Sequence, residues 1–351
     1  MSYYWFVFSI VLSWIFLAEL FSVKSKYVDT CFLLFLIFFS GLRYNADNDY
    51  LSYQQMFNAI SYESSLVEAM RVADIWQVEK GFFLFLFVVK RTFNEFFIVT
   101  LFSSFLTIIL IWKSFKSLSP RYYRYAFYLY FCTLYFTQPF MQIRFGLASA
   151  FISFFIALCL NDKNSKHFIS KILVFSLAIS NHLISIFAIF LIPFKKIVQK
   201  FNLFFIIIFS SLFVYFFIDL SFFLLLMTNI SSRYISYLSE ESDVSNMLIF
   251  VALMLLFYYF LTYKKKCSEG DITVYTTLYM LVVMGALGKY GVLNRASLLF
   301  YPVFFCFFSN LQGRIKVMEF KFLFFLFTVV IGAIKFIPTL NYLNEYKTIF
   351  E

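Results

Sequence analysis

Four arginines, Arg43, Arg144, Arg233 and Arg295, differ in placement from most cations of this chain. The short basic loops are dominated by lysine, whereas Arg43, Arg144 and Arg295 stand at the ends of apolar runs. A guanidinium is planar and offers a fork of donors, so it suits phosphate and pyrophosphate better than an ammonium does. An ionisable group at the edge of an apolar segment is a functional candidate, the alternative being an arginine that snorkels to lipid headgroups. Arg144 follows a polar break at Gln138-Pro139 and Gln142. It precedes the small residues Gly146, Ala148, Ser149 and Ala150, which allow close helix packing. Gln142 and Arg144 are therefore expected at the mouth of a packed helix pair.

Two kinds of group could take a proton beside such arginines. Asp47 and Asp49 lie in the polar stretch "RYNADNDYLSYQQMF", residues 43–57. Asp49 could serve as a general base for a hydroxyl, or cap a helix that begins at Tyr50, or do both. Acid-x-acid spacing can also hold a metal, but three residues are weak evidence, and no metal or cofactor is assigned. His182, at the end of another apolar run, could bond phosphate or a sugar hydroxyl, or simply anchor that end. Tyr44, Tyr50, Tyr53, Tyr62 and Trp76 could stack on sugar rings, although such residues populate any membrane interface.

These residues must be positioned by membrane helices. The chain has 351 residues, 62% hydrophobic and only 14% charged, against about 25% charged in soluble domains. Apolar segments recur along the whole length, and the polar stretches between them are too short for an independent core. The reading is an all-α integral membrane protein, one polytopic unit over residues 1–351, with about twelve spans: 3–22, 29–42, 96–112, 125–140, 143–160, 168–181, 182–194, 202–219, 246–263, 272–288, 296–310 and 319–336. The first run is taken as a membrane helix and not a cleavable signal, since it lacks a basic leader. The five cysteines show no metal spacing and suggest no structural disulfide.

Charge sets the expected orientation. Six alternate loops carry 18 of the 29 basic residues and are read as cytoplasmic. The net charge of +10 is therefore a record of topology, not a nucleic-acid surface. Both termini, residues 43–95 and residues 220–245 then face outward. Within the first outer loop, Tyr50, Tyr53, Phe57 and Ile60 mark one helical face, and Leu66, Met70 and Ala73 another, after a capping box from Ser65 to Glu68. The segment from Gly81 to Arg91 is too short to cross. It is read as a re-entrant or interfacial helix on the outer side.

The ordered set of motifs resembles the EpsG-like branch of Wzy-type polysaccharide polymerases. That branch typically reads Arg-Tyr-x-x-Gly-x-Asp-Tyr-x-x-Tyr after its second span. Here Arg43, Tyr44, Asp49, Tyr50 and Tyr53 fill the pattern, with Asp47 where the family has Gly. Glu79 with Gly81 and Phe82, "IRFGLASA" around Arg144, Asn181-His182, and "NRASLLFY" at Arg295 resemble its later signatures, in order. Phe145 replaces the usual Gln.

The resemblance implies a fold related to the GT-C glycosyltransferases and a bacterial cytoplasmic-membrane enzyme whose site faces the periplasm or exterior. It also implies an oligosaccharide on undecaprenyl pyrophosphate as substrate. Asp49 and His182 become the catalytic candidates. Arg43, Arg144, Arg233, Arg295, Tyr50, Tyr53 and Gln142 become the substrate-binding ones. Membrane lipid, a chain-length regulator and a flippase are the implied partners. The competing readings are a flippase for the same lipid-linked units, disfavoured by scarce mid-span charge, and another outer-face transferase such as a ligase.

Overall fold

The computed structural model describes residues 2–20, 26–160, 168–201, 203–218, 244–262, 272–290 and 294–350. These residues are almost entirely helical. Helices Ser2–Leu20 (α1) and Lys26–Gly41 (α2) come first. The two-residue strand Arg43–Tyr44 (β1) leads into three short helices, Tyr50–Asn58 (α3), Leu66–Trp76 (α4) and Lys80–Thr92 (α5). Phe96–Leu118 (α6), Tyr123–Tyr130 (α7), Ile143–Leu160 (α8) and Phe168–Asn181 (α9) follow. Leu191–Phe201 (α10), Phe204–Phe217 (α11), Ser245–Thr262 (α12), Ile272–Leu287 (α13), Arg295–Leu298 (α14), Tyr301–Gln312 (α15) and Met318–Thr339 (α16) complete the helices. Strand Lys347–Thr348 (β2) closes the chain.

Three helical stretches, Phe96–Leu118, Ser245–Thr262 and Met318–Tyr342, are long and apolar enough to cross a membrane, and several others are shorter but as apolar. Most predicted spans meet one helix each, and three are more irregular than expected. The span predicted at 125–140 is α7 followed by an 11-residue π-helix, Phe131–Met141, with Pro139 inside it. Proline removes a helical donor and clashes with the preceding turn, which a wider helix accommodates. The span predicted at 182–194 opens as a 3-10 helix, Leu183–Phe190, and runs on through α10 to Phe201. That predicted at 296–310 is broken into α14 and α15. The expected outer segment 220–245 lies almost wholly outside the described residues, and so does Cys267.

The two ends of the bundle are built differently. At one end, Asp29 accepts hydrogen bonds from Arg124, Tyr123 and the Trp14 indole, and Asn310 joins Ser119. At the other end, β1 pairs antiparallel with β2, Arg43 opposite Thr348. The Asn344 amide donates to the Ala46 carbonyl at 3.1 Å and the Ile349 amide to the Leu42 carbonyl at 3.0 Å. Tyr346 stacks on Phe39 at 4.3 Å, and the Tyr4 hydroxyl donates to the Asn344 carbonyl. Both terminal regions thus meet the 43–47 segment at one end.

This C-terminal strap walls the turn that carries Asp47 and Asp49. Each of its backbone bonds is worth about 1 kcal/mol net. A chain ending at Tyr342 is therefore expected to melt several degrees lower in detergent and to lose activity with it. Unchanged melting would show the strap to be dispensable.

The outer-loop helices form as the spacing predicts for α3, where Tyr50, Tyr53 and Phe57 are buried and Ile60 follows. For α4 the capping box is present, Ser65 and Glu68 bonding reciprocally. The buried face differs from expectation: it is Ala69 and Ala73, and Leu66 is exposed. The alanines win because only small side chains let α4 approach α5 closely. Helix α5 buries Phe82, Phe83, Leu86 and Val89. Its first turn reaches α9, where Gly81 packs so closely on Ser180 that no Cβ would fit. At its last turn Arg91 donates to the Tyr62 carbonyl and Lys90 lies over Phe57. Both ends of α5 therefore touch elements at the same end of the bundle.

Candidate active site

Helix α8 is held against the π-helix by small residues. A Cβ on Gly146 would meet the Gln138 backbone at 2.8 Å, and Gln138 Nε2 donates to Ser149 Oγ. The π-helix ends at Gln142, whose φ of −84° and ψ of 67° leave the helical region. This break starts α8 afresh and places Gln142 and Arg144 on a helix end, as the polar kink in the sequence suggests.

There a polar cavity of about 240 Å³ opens. Gln142, Arg144 and Phe145 form one wall, and Asp49, Ser52, Tyr53 and Met56 form a second. His182 and Arg295 close the remaining sides. Five residues singled out by type alone, Asp49, Arg144, His182, Arg295 and Gln142, thus come from four separate parts of the chain into one cavity. Tyr53 joins them.

Asp49 occupies the N-cap position of α3, yet its side chain makes no capping hydrogen bond. Its backbone N–H donates to Asp47 Oδ1 at 3.0 Å, so the turn is made by Asp47. The Asp49 carboxyl is left at the cavity. Burial and the nearby Asp47 charge raise its pKa above the ordinary value, against the pull of Arg295, Arg144 and Arg43.

Arg144 is tied down. Its Nη1 donates to Glu79 Oε2 at 2.5 Å, and its charge reaches Tyr53. Arg295 forms no hydrogen bond or ion pair with described residues, yet its charge reaches both Asp49 and His182. Among the described residues nothing engages its fork. His182 lies between α9 and the 3-10 helix, its ring edge-on to Phe145 with centroids 5.5 Å apart.

Other candidates fall elsewhere. Arg43 is 0% exposed and does not line the cavity. Its Nε donates to Asp47 Oδ2 at 2.9 Å, its Nη1 donates to the Ser40 carbonyl, and its plane covers Phe140 at 4.8 Å. Tyr50 is buried against Phe96 and likewise stays off the cavity wall. Arg233 lies outside the described residues.

Asp47 stands where the resembled family has Gly. Here it is 1% exposed and is the counter-ion of a buried arginine. Removing one partner of such a pair costs about 3–5 kcal/mol. Asp47→Gly is therefore expected to lower the melting temperature sharply, whereas Asp47→Asn fills the same space, keeps one of the two acceptor contacts and loses less. Equal melting of the two variants would refute the buried pair.

Ser52 and Met56 are not among the residues the sequence singles out, and Glu79 stands there only within a family signature. Positions 49, 52, 53 and 56 follow the i, i+3, i+4, i+7 rule, so a second face of α3 was legible beside the buried one. Nothing in its local sequence marks Glu79 as the acceptor for Arg144.

The class defined by these features is a helical membrane protein with a cationic, carboxylate-bearing cavity at one end of its bundle. The EpsG family profile matches residues 26–349, and the chain belongs to that family, which is a family of Wzy-like polymerases acting as polymerase-type glycosyltransferases. No curated protein and no solved structure matches significantly. Membership implies a lipid-linked oligosaccharide substrate.

Proposed function

We propose that this chain joins oligosaccharide repeat units carried on undecaprenyl pyrophosphate, at the outer face of the bacterial cytoplasmic membrane, through a GT-C-like arrangement of about twelve spans. The observation that carries the reading is the convergence of Arg144 and Arg295 with Asp49 and His182 in one polar cavity. Arginines supply the positive charge that a departing pyrophosphate needs. Asp49 supplies an acceptor for the proton of the attacking hydroxyl.

In the step proposed, the hydroxyl oxygen of a sugar on the new unit bonds to the anomeric carbon of the growing chain. The anomeric carbon–oxygen bond to pyrophosphate breaks, and its electron pair leaves with the lipid carrier. Asp49 takes the hydroxyl proton. Arg295, whose fork is engaged by no described residue, meets the pyrophosphate directly, while Arg144 is braced by Glu79. No nucleotide enters, since the bond to the carrier already activates the sugar.

The lipid chain of the carrier has room along the bundle. An apolar cleft of about 210 Å³ lies among Phe250, Phe304, Phe305, Phe308 and Ile334, with Lys335 on its wall. A second, of about 610 Å³, lies farther along the same pair of helices, α12 and α16. Helix α15 contributes to the first, and α14 with Arg295 directly precedes α15, so the carrier's charged and apolar parts would meet adjacent elements.

The test is purified protein in lipid with one defined lipid-linked repeat unit and no nucleotide. A ladder of products supports the reading. Transport of intact units across the bilayer without a ladder would assign a flippase instead.

A further inference from the structure

Glu79 stands at the N-cap position of α5, behind the cavity wall. Its two oxygens have different duties. Oε2 accepts from Arg144 Nη1 at 2.5 Å. Oε1 accepts from the Leu183 backbone N–H at 3.3 Å and lies 3.9 Å from His182 Nδ1. That nitrogen is buried and has no hydrogen-bond partner. The carboxylate therefore grips the backbone next to His182 while facing the ring itself. The close seat of Gly81 on Ser180 holds α5 against the segment leading into His182. Phe145 packs on the ring from the other side.

We propose that Glu79 is a positioning residue that sets the tautomer of His182, with the proton on Nδ1 facing Glu79 and the lone pair of Nε2 presented to a sugar hydroxyl in the cavity. An ionised carboxylate only accepts, so the nitrogen that faces it must carry the proton. A neutral imidazole has one N–H, and the other nitrogen is then an acceptor. The ring is neutral near pH 7: burial lowers its pKa, opposed by the charge of Glu79 from α5 and helped by Arg144 from α8 and Arg295 from α14. Asp49 and Tyr53 of the α3 segment share the same cavity. The gap of 3.9 Å is longer than a hydrogen bond, and catalytic contacts commonly tighten only when substrate is bound.

The consequence is a division of the cavity. Such a ring cannot donate to phosphate from Nε2, so His182 belongs with Asp49 on the hydroxyl side, and the arginines hold the anion. The identity of that hydroxyl rests on the polymerase reading; the tautomer does not.

The chain has two histidines, so His167→Gln leaves one ring to observe. Nitrogen-15 spectra of histidine-labelled protein in lipid separate a protonated ring nitrogen from a bare one. The expected spectrum has Nδ1 protonated and Nε2 bare. In Glu79→Gln the side-chain amide can donate to Nδ1, and the proton is expected to move to Nε2. Turnover should then fall about tenfold or more, with partial recovery in Glu79→Asp.

A proton on Nε2 in the otherwise native protein overturns the proposal, whether or not Glu79→Gln folds. So does an unchanged spectrum in a folded Glu79→Gln protein. The expected spectra without any product ladder would uphold the tautomer and reject the polymerase reading.

Discussion

Replacing Arg295 with lysine is expected to cut polymer formation by about 10²–10³-fold, the usual effect of losing one preorganised donor to a developing anion, about 2.7–4 kcal/mol. Lysine keeps the charge and loses the two-pronged geometry. The expectation is sharpest at Arg295 because its guanidinium has no bond to described residues, so the change removes little from the folded protein. Its melting temperature should stay near that of the native chain.

Arg144→Lys is expected to lose comparable activity and some stability too, since it also cuts the contacts to Glu79 and Tyr53. The two effects are separated by measuring the product ladder and thermal melting on the same samples. Lys113→Ala, on α6 and lining neither the cavity nor the apolar clefts, should leave the ladder intact. A full ladder from Arg295→Lys would remove that residue from the pyrophosphate site.

The second large effect is at Asp49. Asp49→Asn is expected to lower the rate by about 10²–10⁴-fold, the range for a positioned general base. Asn caps a helix about as well as Asp, and here the Asp49 side chain makes no cap bond at all. The substitution should therefore leave melting nearly unchanged, and lost activity reports the carboxylate alone.

A pH profile adds an independent check. The base works only when ionised, and its pKa is raised. Activity should fall, as pH drops, at values above the ordinary carboxylate range. For stability the sign is opposite. A carboxyl whose folded pKa is raised binds its proton more tightly in the fold than in the unfolded chain, so this group favours the fold on acidification. The acid limb is then not unfolding on its account. An active Asp49→Asn enzyme with an unaltered acid limb would move the base to His182.

How much of this was legible beforehand differs from residue to residue. Arg144, Arg295, Asp49 and His182 were visible because a charge at the end of an apolar run is costly and needs a reason. The break at Gln142 was visible because proline and glutamine interrupt an apolar helix. The membrane class followed from composition, since bilayer thickness demands long apolar segments.

Arg43 shows where such reading stops. Its type and place match those of Arg144, yet it is sealed against Asp47 and Phe140 under the C-terminal strap. A strand pairing between residue 43 and residue 348 depends on backbone bonds that carry no local pattern. The role of Asp49 was likewise undecided in sequence, because a capping and a non-capping aspartate occupy the same position. Tertiary packing gives the turn to Asp47 and leaves the Asp49 carboxyl to the cavity. Glu79 is the clearest case: its partners are Arg144 and the His182–Leu183 backbone, each more than sixty residues away. Hydropathy and charge are properties of neighbours along the chain and determined the class of protein. Which charges face one another depends on how distant helices pack, and only the folded chain settles it.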